Sequence, residues 1–209
     1  FTYKRSTTQL VGGVGSTWNI AGSFLPPGTY ANWGGATINL TGTSKTLTHM
    51  MTTTQAGGIP VCNVTGSYTQ DNGGLEGFDF HVKSGGTASA SAEFNVNRTA
   101  DVLQSRIYNE TGGTFSGLGT MIFCYNSQIV QQDGTFTIIL GIFAPRAGMA
   151  IVPGTYAGST ILYATPAAFG QTGLNWTVGT YNFTNATNFK VLNDGDPAAG
   201  FFTWDIPYG

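Results

Sequence analysis

The ionisable residues best spaced for chemistry lie in residues 78–82, which read FDFHV. If this stretch is a β-strand, alternation places Asp79 and His81 on the same face. A carboxylate beside an imidazole could act as an acid and base pair, and Glu93 is a second carboxylate that could serve polysaccharide hydrolysis. The solvated outer face of a strand is the simpler interpretation, and we prefer it.

Other catalytic and metal-binding patterns are missing from the sequence. His49 and His81 are its two histidines, and neither begins an H-E-x-x-H or H-x-H arrangement. Residues 193–196, NDGD, resemble part of a calcium loop but lack the remaining ligands, so we interpret them as a turn. There is no phosphate-binding loop and no G-x-S-x-G sequence. We therefore expect no enzyme activity, no metal and no cofactor.

The chemistry that the sequence does offer is binding. Asn, Gln, Asp, Tyr and Trp recur near glycine-rich turns. An aromatic ring can stack on the C–H face of a sugar while amides and carboxylates hold its hydroxyls. The same side chains also suit a protein partner. The turn positions give four candidate ligand-binding residues: Asp71, Asn72, Asn126 and Asp133.

Short β-strands would have to position these residues. Turn signals such as Gly57-Gly58 and Asp133-Gly134 recur along the chain, and β-branched and aromatic runs lie between them, as in residues 135–143. Several runs alternate apolar and polar residues, whereas helical periodicity is nearly absent. The pattern predicts one all-β domain over residues 1–209, a sandwich or a barrel. PGTYA occurs at 27–31 and 153–157, which we interpret as a turn followed by an inward tyrosine, or as chance.

Composition limits the possible partners. Charged residues make up 9% of the chain, against about 25% in typical domains. The eight Lys and Arg residues are scattered, so we expect neither nucleic acid nor an anionic membrane as a partner. No apolar run reaches the roughly 18 residues of a membrane helix. The chain starts at Phe1 without a signal-peptide pattern, which we interpret as a processed, exported N-terminus.

Cys62 and Cys124 are the only cysteines. In an exported protein an even count favours a disulfide, and closing this loop would stabilise the fold by about 4 kcal/mol. Two buried free thiols in a reducing compartment are the alternative.

Two C-terminal stretches carry a resemblance to a known family. TFTIILGIFAPRAGMAIVPGTYAGSTILYAT and GFFTWDIPYG, with Phe1, resemble the receptor-binding, lectin-like domains of bacterial chaperone–usher pilus tip adhesins, including the mannose-binding type 1 adhesins. The resemblance implies an immunoglobulin-like, pilin-like elongated β-sandwich, jelly-roll-like in outline. It also implies a pocket with Phe1, Gln171, Asn175 and Trp176. Tyr3 replaces a cysteine of the mannose-binding relatives, so mannose specificity does not follow.

The expected function is thus non-catalytic adhesion to a host glycan or glycoprotein at an extracellular pilus tip, after export through the periplasm. The resemblance implies a monomeric domain whose full-length protein adds a C-terminal pilin domain and works with a chaperone and an usher. Two alternatives stay open: a self-assembling pilin or coat subunit, and a secreted polysaccharide-active enzyme that uses Asp79 or Glu93.

Overall fold

The structure, a computed structural model, describes ten stretches of the chain: residues 10–25, 31–71, 73–96, 103–145, 149–158, 160–164, 175–176, 179–182, 189–193 and 202–204. Every regular element in these stretches is a β-strand. No helix in them has the length and apolar character needed to cross a membrane.

The strands form three long sheets and two small ones. Sheet one contains, in spatial order, β2 (Thr17–Ile20), β4 (Thr37–Leu40), β7 (Val61–Val64), β10 (Asp79–Val82), β13 (Arg106–Asn109), β16 (Gln128–Gln132), β19 (Ala150–Ile151) and β22 (Asn175–Trp176). Sheet two contains β5 (Lys45–Leu47), β8 (Ser67–Gln70), β11 (Thr87–Ala90), β14 (Thr114–Gly117) and β17 (Thr135–Phe136). Sheet three contains β6 (Met50–Met51), β9 (Gly73–Glu76), β12 (Glu93–Val96), β15 (Thr120–Tyr125), β18 (Ile139–Pro145), β21 (Thr160–Ala164), β24 (Phe189–Asn193) and β25 (Phe202–Trp204). The small sheets pair β1 (Leu10–Val11) with β3 (Ala31–Asn32) and β20 (Gly154–Thr155) with β23 (Tyr181–Asn182).

The chain visits sheets one, two and three in turn and then starts again one strand further along each sheet. Neighbouring strands are parallel, and β24 with β25 is the one antiparallel pair among the described strands. The fold is therefore a β-solenoid of about five turns. We number as rungs 1 to 5 the turns that begin with β4, β7, β10, β13 and β16, since each has a strand in all three sheets.

The predicted immunoglobulin-like, antiparallel β-sandwich is wrong. Strands of a sandwich and of a solenoid both alternate inward and outward residues, so the alternation holds in either fold. What separates them is which strand pairs with which. Here the strands of the five rungs pair with the strand one full turn away, as Asp79 does with Val61 and with Arg106.

One continuous cluster of apolar side chains fills most of the interior. Phe80 and Val82 point into it from β10, and both are fully buried. Beneath sheet two the rings of Phe115, Phe136 and Tyr156 follow one another at centroid distances of 5.8 and 5.2 Å. Full burial of one such ring contributes roughly 1.5–3 kcal/mol. The inward tyrosine predicted for the second PGTYA is confirmed, since Tyr156 is fully buried and its hydroxyl donates to the Val152 carbonyl; most of the first PGTYA lies outside the described residues.

Glycines form the corner between sheets one and two, where each rung lies against the previous backbone. A Cβ on Gly86 would lie 2.1 Å from the carbonyl oxygen of Val64, and one on Gly66 would lie 2.0 Å from that of Gly42. Only glycine fits such contacts, so these turn signals mark the stacking of one rung on the next.

The predicted Cys62–Cys124 disulfide is also wrong, because both cysteines are buried free thiols. Cys62 lies in β7 on rung 2 and Cys124 in β15 on rung 4. Two rungs separate their backbones by roughly 9.5 Å along the axis, whereas a disulfide joins Cα atoms at most about 7 Å apart. Burial raises the pKa of the Cys62 thiol well above its ordinary value.

Candidate functional site

The outer surface of sheet one carries the described residues with the most varied chemistry. Its middle row follows the solenoid axis and takes one residue from each of six neighbouring strands, β2, β4, β7, β10, β13 and β16. Its members, all planar polar side chains, are Asn19, Asn39, Asn63, His81, Tyr108 and Gln131. We call this row the planar file and the surface around it the sheet-one face.

The first half of the planar file is an amide ladder. The Asn39 side chain donates from Nδ2 to Oδ1 of Asn19, and Asn63 donates in the same way to Asn39, both over 2.9 Å. Each bond uses one of the two N–H donors and part of the acceptor capacity of an amide. The ladder therefore fixes the amides while leaving hydrogen-bonding groups free for a ligand.

The second half of the file is a ring stack. The His81 and Tyr108 rings lie parallel, 1° apart in plane and 4.1 Å apart at their centroids. Since the two residues occupy neighbouring rungs in register, their ring planes lie across the solenoid axis. The stack therefore turns ring edges outward, so it offers hydrogen-bonding atoms rather than a flat platform for a sugar.

An ion pair flanks the stack on one side. Arg106 donates from Nε to Oδ1 of Asp79 over 2.6 Å and from Nη2 to Oδ2 over 2.5 Å. The carboxylate raises the pKa of Arg106, and burial together with the Asp79 charge raises the pKa of Tyr108. The Tyr108 hydroxyl thus stays protonated at neutral pH and can donate.

A second ionic cluster flanks the stack on the other side. One oxygen of Glu110 lies 2.5 Å from Nζ of Lys83 and 3.0 Å from Nδ1 of His81. Partial burial acts to raise the pKa of Glu110, but its hydrogen bonds to Lys83 and His81 outweigh burial and lower it. Because the carboxylate accepts, Nδ1 of His81 carries a proton in this contact.

Three residues predicted from the sequence lie in or directly beside sheet one, and one of them, Trp176, is in register with Ile151. Asp133 is exposed. Its backbone N–H donates to the Asn109 carbonyl, and one rung earlier the backbone N–H of Glu110 donates to the Val82 carbonyl in the same way. Asp133 therefore lies one rung beyond Glu110. Its carboxylate accepts a 2.6 Å hydrogen bond from Gln131, the last member of the planar file. Asn175 begins β22 in register with Ala150, two strands beyond Gln128.

The other predicted residues do not join them. Asp71 is exposed after β8, at the corner between sheets two and three, and Asn126 lies in the turn between β15 and β16. Phe1, Asn72 and Gln171 lie outside the described residues. The predicted set is therefore spread around the solenoid rather than gathered in one pocket.

Sequence reasoning missed most of the planar file and both flanking clusters. Alternation correctly put Asp79 and His81 on one face, but their closest partners come from the next rung. One signal was present: Asn recurs before an aliphatic residue in TWNI, TINL and VCNV, each of which is a strand of sheet one. Aligning these three would have shown the ladder.

The described residues contain no group of three or more His, Cys, Asp or Glu that could hold a metal ion. Their polar clusters are ion pairs, amide ladders and hydroxyls, which suit recognition by hydrogen bonding. Comparison with protein-family models, with curated proteins and with solved structures finds no match for this chain.

Proposed function

We propose that this protein binds a glycan, free or on a glycoprotein, along the sheet-one face without chemically changing it. The observation that carries the proposal is the planar file, six consecutive hydrogen-bonding side chains in register on neighbouring strands. The setting we infer is extracellular, where such ligands occur.

The file suits an extended, hydroxyl-rich ligand. Its groups repeat at the strand spacing of about 4.7–4.9 Å, so successive rungs meet successive parts of a chain laid along the axis. The Asn side chains of the ladder and the rings of His81 and Tyr108 are held by their neighbours before a ligand binds, and this lowers the entropy cost of binding. The charges beside the file are paired with opposite charges, which favours a neutral glycan over a strongly anionic one.

The state of the carboxylates supports binding rather than hydrolysis. Glycoside hydrolysis needs one carboxyl group that is protonated at the working pH. Glu110 has a lowered pKa between Lys83 and His81, and Asp79 accepts two hydrogen bonds from Arg106. Neither is arranged as a proton donor, so the enzyme alternative based on Asp79 gains no support.

The proposal retains the ligand binding that is expected of an adhesin, but it does not include a pilus. The resemblance to pilus adhesins implied a sandwich whose pocket lies among its loops. A solenoid presents sheet faces instead of such a loop pocket. The proposal depends only on the residues of the sheet-one face.

A glycan array tests the proposal. Wild-type protein would be compared with Asn63→Leu, which breaks the ladder, and Tyr108→Phe, which keeps the stack but removes the hydroxyl. Glu93→Gln, on the exposed start of β12 in sheet three, is the control. We expect about tenfold weaker binding in the two test variants, since a hydrogen-bonding group left unmatched costs about 1–3 kcal/mol. Wild-type protein that binds no glycan, or equal binding by all variants, overturns the proposal.

A further inference from the structure

Sheet two presents a second, chemically different surface made of Ser and Thr side chains. Two rows of outward residues cross it. The first row is Ser67, Thr87, Thr114 and Thr135, and the second is Thr46, Thr69, Ser89, Ser116 and Thr137. We call these nine residues the hydroxyl face.

The uniformity of this face is not a by-product of composition. Between the two rows the strands bury Tyr68, Ala88, Phe115 and Phe136. Outward Ser or Thr residues therefore alternate with buried apolar or aromatic residues along each strand. Lys45, the cation at the start of β5, aligns with the inward Tyr68 rather than with either row. No charged, amide or aromatic side chain is therefore a member of either row.

The face is also the most regular of the solenoid. All four strand pairings of sheet two keep register, whereas sheet one shifts between Ile107 and Tyr108 and sheet three between Cys124 and Tyr125. Beneath it the interior rings of Phe115, Phe136 and Tyr156 contact one another in tilted and edge-to-face geometry and support consecutive rungs. The backbone positions that carry these hydroxyls form a lattice of about 4.8 Å between rungs and about 6.6 Å between rows.

That lattice fits the geometry of tetrahedrally bonded water. Two oxygens bonded at about 2.8 Å to one water at the tetrahedral angle lie about 4.6 Å apart, close to the rung spacing of about 4.7–4.9 Å. One water can thus join the hydroxyls of successive rungs with little distortion wherever these do not bond each other directly, as Thr69 and Ser89 do. The gap of about 6.6 Å between rows admits a further line of water molecules between them.

The hydroxyls keep bonding capacity for such a layer. Thr69 and Ser89 bond each other over 2.9 Å, and Thr137 donates to the Phe115 carbonyl over 3.3 Å. A hydroxyl has one donor and two acceptor positions, so these contacts leave acceptor positions for water. Thr69, Thr135 and Thr137 are exposed.

From these observations we propose that the hydroxyl face orders water into an ice-like layer and binds the surface of an ice crystal. The ligand class is crystalline water, and the groups that recognise it are the two rows of Ser and Thr hydroxyls. The function is separate from glycan binding because it uses another sheet.

The test measures thermal hysteresis, the gap between the melting and freezing temperatures of a single ice crystal, together with inhibition of ice recrystallisation. Wild-type protein would be compared with Ser89→Tyr, which places a bulky ring at the centre of the face. Glu93→Tyr places the same ring on exposed sheet three and is the matched control. We expect both activities in wild type and in the control, and their loss in Ser89→Tyr.

A second variant guards against misfolding. Thr87→Val combined with Thr114→Val removes two neighbouring hydroxyls but keeps side-chain shape, and circular dichroism would verify its fold. Reduced hysteresis in this folded variant supports the proposal. Wild-type protein without either activity, or full activity in both variants of the face, overturns it.

Discussion

The guanidinium of Arg106 forms two hydrogen bonds with the carboxylate of Asp79 on the preceding rung, at 2.6 and 2.5 Å. The two residues are separated by 27 positions in sequence, yet parallel pairing of β10 with β13 puts them side by side. This bridge joins rungs 3 and 4 beside the His81–Tyr108 stack and holds the centre of the sheet-one face.

Breaking that bridge should destabilise the solenoid. Asp79→Asn leaves Arg106 without its anionic partner, and hydrogen bonds to charged groups contribute about 1.5–3 kcal/mol. We expect the free energy of unfolding to fall by about 1–3 kcal/mol in urea titrations, since Arg106 is partly solvated. Arg106→Lys should lose less free energy of unfolding, because lysine keeps the positive charge. An Asp79→Asn protein as stable as wild type would contradict this role.

The Glu110 cluster predicts a pH dependence. Its folded pKa lies below the ordinary glutamate value of 4.5, so its stabilising effect is present above that pH and is lost as pH falls through the folded pKa. Wild type should therefore melt at a higher temperature than Glu110→Gln at pH 7, and the difference should shrink below about pH 4.5. Calorimetric scans from pH 7 to pH 3 measure this, and a difference that grows on acidification would refute it.

The buried thiols predict insensitivity to reductant. With Cys62 and Cys124 unbonded, a reducing agent should leave the melting temperature unchanged. Native protein should react slowly with a thiol reagent because both side chains are buried and burial raises the pKa of Cys62. Unfolded protein should release two thiols per chain. Fewer than two in freshly purified protein kept under nitrogen would indicate a disulfide and contradict the structure.

Two adjacent glycines predict different costs. Gly86→Ala forces a Cβ to within 2.1 Å of the Val64 carbonyl oxygen, so rungs 2 and 3 must move apart, and we expect a loss above about 2 kcal/mol. Gly85 has φ of +79° but open space around it, so Gly85→Ala should cost only about 1–2 kcal/mol of backbone strain. Urea denaturation of both variants checks the order, and a larger loss for Gly85→Ala would argue against stacked corners.

Strands and their inward residues could be predicted from the sequence, but strand pairing could not. Alternation identified β10 and β17, and the inward Tyr156 was expected from PGTYA. Parallel pairing stayed hidden because alternation has period two in either fold. The repeat is also irregular: strands β4, β7, β10, β13 and β16 begin at residues 37, 61, 79, 106 and 128, so no fixed period reveals the rungs.

The candidate site was missed for the same reason. Loops carry the binding residues in many folds, which is why turn positions such as Asp71 and Asn126 are candidates from the sequence. In a solenoid, outward residues from successive strands form a continuous surface, and His81 meets Tyr108 only once the register is known. The disulfide prediction was wrong for a similar reason, since an even cysteine count contains no information on the number of rungs between the two residues.

The most direct test of glycan recognition is a calorimetric titration of the best array ligand into wild type and Asn63→Leu. The planar file predicts saturable binding by wild type and about tenfold weaker binding by the variant, with unchanged circular dichroism. No binding, or equal affinity in both proteins, would contradict the assignment of the sheet-one face.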